Sequence, residues 1–197
     1  MKTDAISTTP SPVTLAAPMA AAQHKAALWA DAGQNVYAVM MGSRIPDLTA
    51  RLATAGAELG DYDCLLPGAL TADVQRDAPY LVLLKADTAF TDWLLFEATA
   101  SLGDWGLVLR SPVRLLPLRN HLRGLLRALL PGGQSVAFDW MDPPVLQAVL
   151  PLFGPAELSA FFGPVQSLTM PGAQSWRHAE PVSGRVLHRD VPLAKDT

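Results

Sequence analysis

The chain has 197 residues, half of them apolar and only 17% charged, with a net charge of −3. About 25% charged is typical of a soluble domain, so this composition argues against disorder and for either a large core or apolar surface kept for a partner. The acidic balance argues against a general nucleic-acid binder, which carries a basic excess.

Residues 1–22 are rich in Thr, Ser, Pro and Ala and read as a flexible leader. Asp4, Pro12 and Pro18 spoil it as a signal peptide. Gln23 to Ala32 suits a short helix, and Asn35 to Met41 (NVYAVMM) a buried strand ended by Gly42. Pro46 opens a helix to about Ala57, and Asp61 to Leu65 makes a short strand. Tyr80 to Lys85 (YLVLLK) is a nearly continuous apolar strand, which implies cover on both faces. A helix from about Phe90 to Leu102 stops at Gly103, and Trp105 to Leu109 is a further strand. Leu116 to Leu130 reads as the strongest helix, because Leu118, Leu122, Leu125 and Leu129 form one apolar stripe. Gln134 to Trp140 suits a strand, Pro143-Pro144 and Gly154-Pro155 each open a helix, and Val165 to Met170 is a last strand.

Alternating strands and helices imply an α/β fold, a mixed sheet with flanking helices followed by a more helical C-terminal lobe. The expected organisation is one domain over 23–170, with lobes 23–113 and 114–170, and an irregular tail over 171–197. No apolar run approaches the roughly 18 residues of a membrane helix, so a soluble, cytoplasmic protein is expected.

Catalytic patterns are sparse. Cys64, the only cysteine, cannot form an internal disulfide and, followed by two leucines, reads as a buried thiol. His24, His121, His178 and His188 fit no zinc spacing and read as surface or tail residues. Ser43 follows a strand but lacks the glycine pattern of a nucleophile elbow. Asp61 with Asp63, and Asp139 with Asp142, are close acids, but turn formation accounts for them, and Asp142 before Pro143-Pro144 suits a helix N-cap. No cofactor or metal is expected.

Arg119, Arg123 and Arg127 are spaced by four along the expected helix, with Arg110 and Arg114 before it. They read either as a solvated face or as a docking edge for an acidic partner. On the docking reading, reversing Arg119 and Arg123 to Glu should leave the thermal melt almost unchanged. Trp93, Trp105 and Trp140 fall in expected core elements, whereas Trp29 and Trp176 are better candidates for exposed contact.

Taken together, several segments carry a resemblance. They are Tyr37 to Gly42, Ala78 to Val82, Trp93-Leu94-Leu95, Trp105 to Pro112, Leu118 to Arg123, Leu130 to Gly133, Phe138 to Pro143 and Phe161 to Val165. In this order they resemble the effector-chaperone family of type VI secretion, domain of unknown function 4123. The chain departs from that pattern at Asp139, where an arginine is common, and at Met141, where an aromatic is common. The resemblance implies a non-catalytic cytoplasmic adaptor that binds a toxic effector and helps load it on the spike protein, without nucleic acid or membrane. Its expected contact residues are Arg110, Arg119, Arg123, Arg127, Trp105, Trp140 and Asp142. The alternatives are an immunity protein that neutralises a toxin, or a small hydrolase using Ser43 or the Asp139/Asp142 pair.

Overall fold

A computed structural model describes residues 13–15, 19–130 and 132–194; most of the expected flexible leader lies outside these. The strands are β1 (Val13–Leu15), β2 (Asn35–Met41), β3 (Leu59–Cys64), β4 (Pro79–Leu84), β5 (Gly106–Ser111), β6 (Arg127–Leu129), β7 (Ser135–Ala137), β8 (Ser167–Met170), β9 (Ser175–Val182) and β10 (Arg185–Pro192). The helices are α1 (Ala21–Leu28), α2 (Leu48–Ala55), α3 (Ala72–Asp77), α4 (Ala89–Asp92), α5 (Thr99–Leu102), α6 (Leu115–Gly124), α7 (Pro143–Val149) and α8 (Pro155–Phe162). A π-helical turn, Trp93–Ala98, joins α4 to α5.

Eight strands form one sheet in the order β1-β10-β9-β8-β5-β2-β4-β3, and β6 and β7 form a separate hairpin. Every neighbouring pair in the large sheet is antiparallel except β1 on β10. The apolar run of β2 is explained by its position, since helices cover both faces. Tyr37, Val39 and Met41 point into a core with Leu118, Leu122, Trp140, Leu146, Phe161 and Phe162. Val36, Ala38 and Met40 point the other way, onto Leu28, Leu48, Leu52, Leu94, Leu95 and Trp105. The α/β class therefore holds as three layers.

The sheet also corrects two expectations about the C-terminal half. The stretch after Arg114 is not a separate helical lobe. Its helices α6, α7 and α8 are the cover that one face of β2, β4 and β5 requires, so they share a core with those strands. Nor is the region after Pro171 irregular: β9 and β10 pair over their whole length and extend the sheet. The buried residues there, Trp176 and Ala179 on β9 and Val186 and Val191 on β10, do not follow a period of two, so the segment carries no clear strand signal. The turn carries Ser183 and Gly184, both with positive φ.

Local chemistry fixes the centre. The π-turn lets Thr99 Oγ1 donate to the Leu94 carbonyl at 3.2 Å and accept from Trp105 Nε1 at 2.9 Å. Trp105 thus sits in the core with its polar atom satisfied. Gly106 is a backbone requirement. Its φ is +145°, and an added Cβ would lie 1.9 Å from the Val39 carbonyl oxygen.

The far end of the sheet holds an unexpected polar cluster. His24 on α1 is only 1% exposed and Trp176 is equally buried, which corrects the surface reading of both. The His24 ring lies 5.0 Å from that of Trp176 and stacks at 6.3 Å on His178. His178 Nδ1 shares a 2.9 Å hydrogen bond with Thr169 Oγ1. Burial, reinforced by His24, Arg189 and Arg110, lowers the His178 pKa from 6.5 to about 4, with Asp190 opposing. Burial also lowers His24, against a hydrogen bond with the Pro192 backbone.

Two outcomes are expected. Between pH 6.5 and about 4 the unfolded chain binds more protons at residue 178 than the native protein, so this stability is complete above 6.5 and lost as pH falls. The melting temperature should drop across that window, and His178→Gln should flatten part of the drop; an equally steep fall in the variant would contradict the assignment. Gly106→Ala should cost about 3 kcal/mol or prevent folding, because backbone must move. Gly124→Ala, where nothing lies within 4 Å of the added carbon, should be neutral or slightly stabilising in urea unfolding.

Candidate partner-docking surface

Between Asp104 and Asp139 the chain contains Arg110, Arg114, Arg119, Arg123 and Arg127 and no acidic residue. In a protein of net charge −3, this is a local cationic excess. The structure distributes these arginines over β5, α6 and β6.

Helix α6 ends at Gly124, short of the expected Leu130. Residues 127–129 instead pair with 135–137 as the β6–β7 hairpin. Gly132 and Gly133, both with positive φ, reverse the chain, and the Leu130 N–H donates to the Gln134 carbonyl at 2.9 Å. In a leucine-rich run the helical stripe and the strand alternation fit the same residues. Gly124 and the Pro-Gly-Gly turn were the signals that break the tie. Arg127 therefore does not continue a stripe from Arg119 and Arg123. It lies on the exposed face of β6, where its Nε and Nη2 donate to Ser135 Oγ at 2.7 Å and the Ser135 carbonyl at 3.0 Å.

The two arginines that do lie on α6 turn inward. Arg123 donates to three carbonyls at the end of β3 and just after it, those of Cys64 at 2.8 Å, Leu65 at 3.1 Å and Leu66 at 3.2 Å. Arg119 pairs with Asp63, also on β3. Arg110 donates from Nε to Ser167 Oγ on β8 at 2.8 Å. Trp105 and Trp140 are each 1% exposed, and both belong to the core. Asp142 does stand at the N-cap of α7, but its side chain accepts no capping bond. Pro143 and Pro144 have no N–H to offer, and the carboxylate instead pairs with Arg44 at 3.2 Å.

Hydrogen-bonding capacity and charge part company here. Of the five arginines, only Arg119 meets a carboxylate among the described residues. Arg110, Arg123 and Arg127 bond neutral oxygens, and Arg114 is exposed. Their charge reaches the surface even where their N–H groups are occupied.

The same region carries the most exposed leucines. Leu129 on the hairpin is 77% exposed and Leu152, after α7, is 73% exposed, with Leu116 and Leu130 about half exposed. The hairpin is rooted where the Phe138 N–H donates to the Leu126 carbonyl and where Phe138 packs on Phe153 and Phe161. Leu152 adjoins Phe153 in the chain. Beside α6, a cleft of about 300 Å³ is lined by Tyr62, Asp63, Cys64, Tyr80 and Arg123. Sequence reasoning missed the hairpin leucines because it assigned them to the inner face of a helix.

For chemistry, the surroundings are bland. Burial pushes the Cys64 thiol up, although the Leu66 N–H and Arg123 oppose it, so the thiolate is not favoured. Ser43 is exposed, and Asp139 is exposed beside the ion-paired Asp142. Among the described residues no group of His, Cys, Asp and Glu is placed to hold a metal ion. None of the described helices is long and apolar enough to cross a membrane.

These contacts overturn the expectation that charge reversal on α6 spares stability. Arg123→Ala should lower stability by about 1–3 kcal/mol in urea unfolding by orphaning three carbonyls, and Arg123→Glu by more. A double-mutant cycle of Arg119→Ala with Asp63→Ala should show coupling of up to about 1 kcal/mol. An unchanged melt for Arg123→Glu would contradict the structural role.

Among known proteins, no curated protein and no solved structure matches this chain. The family profile described as Domain of unknown function (DUF4123) matches residues 36–160, which is more than half of the chain and runs from β2 into α8. The chain belongs to the DUF4123 family.

Proposed function

We propose that this protein is a cytoplasmic adaptor that binds a type VI secretion effector, a toxin, and helps load it on the spike protein. The observation that carries the reading is the β6–β7 hairpin, on which Leu129 and Leu130 face solvent and Arg127 bonds only neutral oxygens of Ser135. Two-stranded hairpins are marginal alone, and solvent-facing leucines on one gain most when a partner covers them. Buried apolar anchors within a charged rim are the usual anatomy of a protein interface. Membership of DUF4123 and the resemblance of the motifs to effector chaperones support the choice of client.

On this reading Leu129, Leu130 and Leu152 are the anchors, and Arg114 and Arg127 steer an acidic client segment. Arg119, Arg123 and Trp140 act by building the surface, whereas Trp105 lies in the core on the other face of the sheet. The test is co-purification with a type VI secretion toxin from the same genome, cut into delivery and toxic halves. The adaptor should hold the delivery half, whereas capture of only the toxic half would mark an immunity protein. Leu129→Asp with Leu130→Asp should lower toxin affinity at least tenfold while moving the melt by no more than about 2 °C, since both are surface positions. Undiminished affinity would remove the hairpin from the interface.

A further inference from the structure

The two edges of the large sheet are protected differently. At one edge, β3 carries Asp61 and Asp63, and its register on β4 slips between Leu59 and Tyr62. Charges and irregular register both discourage an added strand. At the other edge, β10 is eight residues long and is covered by the chain's own N-terminal segment. Val13, Thr14 and Leu15 lie parallel to His188, Arg189 and Asp190. Further on, the Met19 N–H donates to the Pro192 carbonyl and the Met19 carbonyl accepts from the Ala194 N–H, each at 2.9 Å.

This cover has the character of an exchangeable ligand. It is the sheet's one parallel pairing among the described residues, against antiparallel pairing everywhere else. Its β1 ladder is three residues long. Pro12 and Pro18 bracket it in the sequence, and neither has an N–H to add to a ladder. So the edge accepts an extended parallel segment, and the segment on it is short and chemically unable to lengthen far.

We propose that the β10 edge is a strand-accepting site for the client, occupied in the free protein by residues 13–15 and vacated by them when the client binds. The occupant is an extended, proline-free segment of the effector, paired in parallel on β10. Arg189 is already paired with Glu180 at 3.7 Å, whereas Arg185 meets no carboxylate among the described residues and favours an acidic residue at its end of the strand. This binding mode, strand addition, takes its affinity from main-chain hydrogen bonds. The proposal rests on the adaptor reading for its partner, and it adds a second contact surface away from the β6–β7 hairpin.

The test uses the full chain and a fluorescent peptide of its own residues 11–20, SPVTLAAPMA. Adjacent strand residues alternate in which one bonds the neighbour, so Thr14→Pro with Leu15→Pro removes a ladder donor in either phase. That variant should bind the peptide at least tenfold more tightly than the natural chain. Thr14→Cys with Arg189→Cys, which sit opposite each other, should lose the peptide when oxidised and regain it on reduction. Cys64 lies on β3 at the opposite edge and does not compete. Equal binding by all three proteins, or none by any, overturns the proposal. The oxidised protein should also lose the toxin and recover it on reduction. Retention of the toxin by the oxidised protein would overturn this site while leaving the adaptor reading intact. Failure of the natural chain to bind any toxin would instead defeat the adaptor reading, and the client role of this edge with it.

Discussion

The central strand β2 buries both of its faces, and the rest of the molecule follows from that constraint. A strand with Tyr37, Val39 and Met41 on one side and Val36, Ala38 and Met40 on the other needs two helical layers. Helices α1, α2, α4 and α5 supply one, and α6, α7 and α8 supply the other. The close approach of Gly106 to the Val39 carbonyl and the indole bond from Trp105 to Thr99 set β5 against β2. Each large side chain buried at this centre commits a helix elsewhere to covering it.

That commitment explains where the arginines of α6 go. To cover its face of the sheet, α6 must sit beside the end of β3. Arg123 caps the carbonyls there and Arg119 meets Asp63. Several of their N–H groups are thereby used inside the molecule, while Arg123, like Arg110, Arg114 and Arg127, meets no carboxylate among the described residues. After Gly124 the chain packs Leu125 and Leu126 against the core and then leaves as a hairpin with Leu129 and Leu130 in water. Reversing the charges of α6 therefore removes contacts that hold the end of β3, whatever else it does at the surface.

Much of this was legible in the residues. The β2 run was placed correctly from Asn35 to Met41, and α8 from Pro155 to Phe162, because unbroken apolar runs and a proline start admit one reading. The cover on both faces followed from the apolar character of residues 80–85. What failed were positions where two periods coincide or where burial depends on distant partners. Leu125 and Leu129 fit a helix as well as a hairpin. His24 and Trp176 are buried because α1 packs on β9, a long-range contact with no local signature. Of the expected contact residues, Trp105 and Trp140 are core and Arg123 is a brace. The exposed leucines escaped notice because a leucine in an amphipathic pattern is read as inward by default.

Hydrogen exchange of the protein alone and bound to its toxin tests the central claim most directly. The account predicts slowed exchange in residues 127–137 and in the outer turns of α6, with the amides of β2 and β5 unchanged because they are already buried. Protection confined to the Asp47–Trp93 side of the sheet, with the hairpin still exchanging freely, would contradict it.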